Sequence, residues 1–362
     1  MLSSMSSGAI LSKTRAMFGQ RLTADDYKAL ASKKDVGSAA AYLRTLPAYT
    51  EALSGVSDNT VRRRQLEALL RQKHFHSFES LCRYELTIGE RFSDFILLQT
   101  EIAQIIESIS RIMANRRDGA PISVSPYLER RIKVDARALE AASSYEDLLA
   151  AVKQSYFYDT LASLGKTLSG DLVRYENALY AAFYDRIFDD IRHSLGGSAE
   201  STLTDLFTSQ IDLENLVRMV RLKEYFKADA SYIRMALLPH GNVRGNTAER
   251  LIACKDAPAV LECAENMKIF RGKLADFAAC TRIDELPQRY MLRRSYHEIY
   301  FSSEPSVVMI AYLHISETEI SNIIRIIEGI RYSVSPDNIY GMLLLPPREA
   351  GADEHSTNER KV

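Results

Sequence analysis

Four cysteines, 16 glycines and ten prolines are few for 362 residues, and each scarcity excludes something. Cys82, Cys254, Cys263 and Cys280 form no C-x2-C pair and have no matched histidines. Neither a zinc site nor a disulfide framework is indicated, and the pattern reads as reduced thiols of a cytosolic protein. Sparse glycine and proline leave long stretches without turn signals, and strict apolar–polar alternation never persists. The chain is therefore predicted to be all-α. Neither charge sign is in excess: 46 basic and 47 acidic residues give a net charge of −1. A nucleic-acid binder normally carries a basic surplus, so no nucleic-acid partner is expected. Long apolar runs are missing too. The longest candidate, Val307–Leu313, falls far short of the roughly 18 residues that cross a bilayer. The stretch from Met1 to Phe18 has no continuous apolar core, so no signal peptide is expected and the chain reads as soluble.

What is present is a helix written three times. Ile102, Ile105, Ile106 and Ile109 form one apolar stripe; Leu213, Leu216, Val217 and Val220 a second; Ile320, Ile323, Ile324 and Ile327 a third. Each has the spacing that places four side chains on one side of an α-helix. An acid precedes each stripe (Glu101, Asp212, Glu319), and an amide follows each acid by three (Gln104, Asn215, Asn322). The acids are 111 and 107 residues apart.

Any three amphipathic helices can be slid into register, so other landmarks must recur at the same period. Leu30–Leu53, Leu139–Leu164 and Leu251–Phe277 each read as a short helix, a polar break, a longer helix and an aromatic. The aromatics are Tyr49, Tyr158 and Phe270, 109 and 112 residues apart. Glu67, Leu70 and Phe75 match Glu176, Leu179 and Tyr184, while in the third unit Met291 and Tyr296 keep their places and Gln288 replaces the acid. Such a period predicts triplication. Loops at Asn115–Pro126 and Pro239–Thr247 carry the turn residues of domain joints. The expected division is 1–120, 121–243 and 244–345, three similar helical bundles, followed by a polar disordered tail at 346–362.

Candidate chemistry is thin. Gly165-Lys166-Thr167 ends like a phosphate loop, but the early glycine such a loop needs is Thr160, so Gly165 reads better as a helix C-cap. His74 and His76 diverge on a helix and read as surface residues. His297 lacks an identifiable orienting carboxylate, Glu298 being expected to face elsewhere. Arg62, Arg63 and Arg64 read as a solvated face. No catalytic, cofactor or metal residue is assigned. The acid–amide pairs continue into Arg218 and Arg325, with Glu107 in the corresponding first-unit place. Glu101, Gln104, Asp212, Asn215, Arg218, Glu319, Asn322 and Arg325 are thus the candidate partner-binding residues. The competing reading is that they satisfy each other and nearby backbone.

The order of these stretches resembles the C subunit of V-type and A-type ATPases, subunit d in eukaryotic pumps. Ala9–Leu53 carries the resemblance at the start, with Leu22-Thr23 before Asp25-Asp26-Tyr27 and a Thr45 to Tyr49 element that here contains Pro47-Ala48. Asp212–Phe226 and Glu317–Ile339 carry it further on. The resemblance implies three similar helical domains in a pseudo-threefold, funnel-like arrangement. It implies a non-catalytic adapter without cofactor or small-molecule substrate, within a hetero-oligomeric complex. Its partners would be the central-stalk axle subunits and the membrane proteolipid ring, at the cytoplasmic face. An alternative is a helical-repeat scaffold binding a soluble protein; a third is an enzyme using the Gly165-Lys166-Thr167 segment or a histidine.

Overall fold

A computed structural model describes residues 2–58, 60–116, 125–165, 168 and 171–346, with only the backbone given for residues 2–7. The tail from residue 347 onward, Lys166 and Thr167 lie outside the described residues. Every regular element among those described is helical.

The chain opens with α1 (Leu2–Gly19) and then cycles three times through short helices followed by two long ones. The first cycle has α2 (Ala24–Ala31) and α3 (Val36–Thr45), then α4 (Arg63–Cys82), a turn α5 (Gly89–Phe92), and α6 (Phe95–Met113). After α7 (Pro126–Glu129), the second has α8 (Ala136–Ala141), α9 (Tyr145–Ala151) and α10 (Tyr158–Ser163), then α11 (Leu172–Ser194) and α12 (Gly197–Tyr225). After α13 (Ala230–Ala236), the third has α14 (Asn246–Ile252) and α15 (Ala257–Glu265), then α16 (Leu286–Phe301), α17 (Pro305–Arg331) and α18 (Pro336–Gly341).

Local chemistry repeats with the helices. The second short helix of each cycle starts on a capping side chain, Asp35, Ser144 or Asp256, which accepts the amide of Ser38, Asp147 or Ala259. An oxygen there satisfies an amide that the helix itself cannot pair. The striped helices α6, α12 and α17 also end alike. Asn115, Lys227 and Ser333 follow them at φ of 48°, 49° and 55°. In that left-handed conformation the chain folds back onto the helix end, and the next amide bonds inward: Arg116 to the Arg111 carbonyl, Ala228 to Leu222, Val334 to Gly329. Gly165, at φ 129°, follows the C-cap Leu164 of α10, as expected of a helix end.

The apolar stripes are buried, except that Ile106 and Ile324 are only half-buried. One aromatic landmark shifts by a residue. Phe157, fully buried, takes the inward place assigned to Tyr158, which is half-exposed. The core falls into two clusters. The smaller joins Leu22, Leu30, Leu43, Tyr49 and Leu70 from the first part of the chain to Ile320, Ile323, Ile327 and Leu343 from the last. The larger includes most of the stripes of α6 and α12, namely Ile102, Ile105, Ile109, Leu213, Leu216 and Val220. The beginning of the chain therefore packs on its end. Arg15 of α1 reinforces this by donating to the Ile299 and Ser302 carbonyls at 2.9 and 2.7 Å.

Candidate partner-binding site

The acids of the striped helices reach across to the next set of short helices. Glu101 accepts the Lys133 amide at 2.7 Å, just before α8, and the Ser155 hydroxyl at 2.6 Å, just after α9. Asp212 accepts the amides of Asn242 and Val243 at 2.6 and 2.9 Å, just before α14, and pairs with Lys273 Nζ at 3.2 Å, beyond α15. Glu319 accepts the Leu22 amide at 2.8 Å, just before α2, and the Tyr49 hydroxyl at 2.5 Å, beyond α3. Each carboxylate thus holds at least one backbone amide ahead of the first short helix, two for Asp212, and one side chain after the second. The direction is cyclic: α6 holds the second set, α12 the third, and α17 returns to the first.

Burial makes these bonds consequential. Glu101, Asp212 and Glu319 are 2%, 0% and 8% exposed, so their carboxylates face protein rather than open solvent. A buried carboxylate without partners is costly, which makes the receiving groups part of the requirement. Burial raises the Glu101 carboxyl above its ordinary pKa, against the lowering effect of Ser155 and Lys133. Asp212 instead has the cation Lys273, itself only 12% exposed. The loop carrying its amides comes so close that a Cβ on Gly241 would lie 2.8 Å from Asp212 Oδ1, which explains the glycine.

The amides work within their own neighbourhood. Asn215 donates to the Leu238 carbonyl and accepts the Leu238 amide, at 2.9 and 2.7 Å. Asn322 does the same with Leu344, at 2.8 and 3.0 Å. A two-way bond of this kind substitutes a side chain for a missing backbone partner after a short helix. Gln104 is buried in the corresponding place. The arginines do not converge. Arg218 donates to the Ala236 carbonyl at 2.9 Å and to Asn177 Oδ1. Arg325 lies by Gln288, at 3.3 Å. Both are half-exposed.

A different set of residues shares one space. Glu176 of α11, Glu214 and Arg218 of α12, and Glu317 of α17 all lie within electrostatic range of Tyr180 of α11, with Arg71 of α4 near Glu317. Glu317 keeps 47% of its side chain exposed, yet desolvation still raises its carboxyl pKa. Its side chain is open to water and yet crowded by surrounding protein. Glu214 is raised for the same reason, against the pull of Arg218, and the Tyr180 hydroxyl is pushed up to about 12.

A sequence model of the family described as ATP synthase (C/AC39) subunit matches residues 10–342, which takes in all three clasps. The chain belongs to this family. No curated protein matches it. Family membership makes this C/AC39 chain part of a hetero-oligomeric ATPase complex, in a family of non-catalytic accessory subunits. Among its described residues no helix is long and apolar enough to cross a membrane.

Apart from Arg218, the residues around Tyr180 in the C/AC39 chain escaped the sequence reading, although a signal existed. Gln210, Glu214 and Arg218 form an i, i+4 ladder beside the stripe of α12, and Gln210 donates to Glu214 at 3.1 Å. Glu317 and Arg325 occupy the corresponding side of α17. The histidine reading needs two corrections. His74 is buried, with Nδ1 2.9 Å from Ser316 Oγ, whereas His76 is exposed as expected. His297 does have a carboxylate near it, Glu298 at 3.5 Å, which also pairs with Arg294 at 3.2 Å. Of the three adjacent arginines, Arg62 and Arg64 are exposed, but Arg63 bridges α4 to Glu328 of α17 at 2.5 Å.

The clasps should respond differently to neutralisation. Asp212→Asn leaves Lys273 buried without a counter-charge and should cost about 3–5 kcal/mol in urea unfolding. Glu101→Gln keeps an acceptor and removes a charge that burial already disfavours, so its cost should stay below about 1.5 kcal/mol. Equal losses would refute the assignment of roles.

Burial holds His74 at about 3 and His314 at about 4, below the ordinary histidine value. The unfolded chain protonates first as pH falls, so stability present above about pH 6.5 is lost toward pH 4. Each histidine should remove about 2 kcal/mol between about pH 7 and pH 5. His74→Asn should flatten that part of the urea-midpoint profile; an unchanged slope would contradict the burial argument.

Proposed function

We propose that this chain is a central-stalk adapter of a V/A-type rotary ATPase, linking the axle subunits to the proteolipid ring and transmitting torque for ATP-coupled ion transport. In this reading the three bundles, 1–120, 121–243 and 244–345, stand around a pseudo-threefold axis as a funnel at the cytoplasmic face of the membrane. The cyclic clasp is the observation that carries it. Contacts running from first to second to third and back to first suit a closed socket, because a closed set resists opening at any one joint. Dense helix packing supports the same end, since well-packed interiors deform little. A coupling that passes torque needs that stiffness.

The proposed seat for the axle is the surface bearing Glu176, Tyr180, Glu214 and Glu317. Arg218 borders it directly. Buried Glu101, Gln104, Asp212, Asn215, Glu319 and Asn322 act on partner binding by holding the helices that present this surface, and Arg325 offers a second, separate polar position. A seated partner must meet desolvated carboxylates with donors or cations, or pay for leaving them unpaired.

Tagged chain should recover axle subunits and proteolipid from gently solubilised source membranes. Glu317→Lys should lower axle recovery by about tenfold, equivalent to about 1.4 kcal/mol, while helix content by circular dichroism stays unchanged. Recovery of a soluble partner without proteolipid would instead support the helical scaffold. Nucleotide binding by the isolated chain, lost in Lys166→Ala, would favour an enzyme.

A further inference from the structure

Four large exposed side chains gather around α1. Leu86 and Tyr84, between α4 and α5, are 70% and 56% exposed; Phe301 and Tyr300, at the end of α16, are 76% and 48% exposed. Apolar side chains grouped in the open mark a surface that meets something other than water. The two turns are pinned to each other. Glu85 is buried, and its carboxylate accepts the Ile88 and Gly89 amides, each at 2.7 Å, and the hydroxyl of Ser306 in the first turn of α17 at 2.9 Å. Glu85 turns inward, so its neighbours Tyr84 and Leu86 are held outward. α1 joins both turns. Lys13 Nζ lies 4.2 Å from the centroid of the Tyr84 ring, and Phe18 meets Tyr300 edge-on with centroids 5.4 Å apart. Arg15 holds the carbonyls of Ile299 and Ser302, on either side of Tyr300 and Phe301.

The same place is basic. α1 carries Lys13 and Arg15 and no acid. Lys13 donates to the Ser80 hydroxyl at 2.6 Å and Arg15 to the two carbonyls, so neutral groups orient both cations without cancelling their charge. Arg83, beside Tyr84, shares the buried Glu79 with Arg131 at 3.1 and 2.6 Å, which leaves a positive charge over. The acids of these turns are engaged: Glu85 as described, Glu298 by Arg294 at 3.2 Å, and Glu304 by the Ser198 hydroxyl at 2.6 Å.

We propose that this surface binds the anionic headgroup layer of a phospholipid bilayer. Leu86 and Phe301 enter the boundary between headgroups and acyl chains, the two tyrosines lie at headgroup level, and Lys13, Arg15 and Arg83 face lipid phosphates. Aromatic rings favour that boundary, where one side is apolar and the other wet, and an anionic leaflet attracts cations close to its surface. The contact is peripheral, since no helix among the described residues is long and apolar enough to cross a membrane. It does not rest on the adapter reading: a lipid vesicle contains neither axle nor proteolipid, so the two fail separately.

The chain has no tryptophan, so Phe301→Trp and Leu86→Trp each install a single fluorescent reporter. Full-length protein would be mixed with vesicles of phosphatidylcholine alone, or of equal parts phosphatidylcholine and phosphatidylglycerol. With the anionic vesicles both reporters should shift to shorter wavelength and be quenched by brominated acyl chains, and the response should shrink in about 0.5 M salt. Phe226→Trp, at a position 68% exposed after α12, should show no shift. In co-sedimentation, Lys13→Gln should weaken binding to anionic vesicles by about fivefold. Leu86→Ser combined with Phe301→Ser should weaken it by about tenfold or more, with helix content by circular dichroism unchanged. No shift in either the Phe301→Trp or the Leu86→Trp chain would overturn the proposal, as would an equal shift in the Phe226→Trp chain. A shift that needs proteolipid in the vesicles would assign the surface to a protein partner and overturn it as well.

Discussion

A carboxylate buried in protein must be met by donors, and this structure draws those donors from another part of the chain. Glu101, Asp212 and Glu319 project from three equivalent helices, and each receives a backbone amide and a side-chain donor from the next set of short helices. The short helices, of ten residues or fewer, depend on such links because isolated helices below about 12 residues are marginal alone. Their capping side chains start them, apolar contacts hold them, and the carboxylate fixes where they sit. The donors differ, a hydroxyl of serine, an ammonium and a phenol, while the geometry stays the same. What recurs is a position and a task rather than a residue pair.

The cyclic order of these contacts gives the chain its internal logic. Glu319 and Leu22 are 297 residues apart, so the last long helix completes the first set of short ones. The apolar cluster that mixes Leu30 and Leu43 with Ile323 and Ile327 makes the same connection through packing. Stiffness of this kind fits an accessory subunit of an ATPase better than an enzyme-like cleft would. The surface around Glu214 and Glu317 has the complementary property of desolvated carboxylates, to which a partner can bring donors or cations.

Much of this was legible in the sequence because helical periodicity is local. The stripes, the acids three residues before their amides, and the all-α character all follow from spacing along one helix. The four residues Ser-Val-Ser-Pro at 123–126 and again at 333–336 repeat another part of the pattern, with Ser125 and Ser335 each preceding a proline-started helix. What the acids bind was not legible. A partner 297 residues away leaves no trace in local periodicity, and Lys133 and Leu22 contribute only backbone amides, which any residue could supply. The same limit hid His74, whose neighbour Ser316 lies on α17. Matching by residue class does not distinguish Phe157 from Tyr158, because only the fold decides which of two adjacent aromatics turns inward.

The contact that closes the cycle offers the most direct test. A double-mutant cycle with Tyr49→Phe and Glu319→Gln, followed by urea unfolding, isolates the bond between the first part of the chain and the last. Coupling of about 1–3 kcal/mol is expected for a buried pair of this kind. Additivity within about 0.5 kcal/mol would mean that the third helix does not hold the first set, and the closed arrangement would fail.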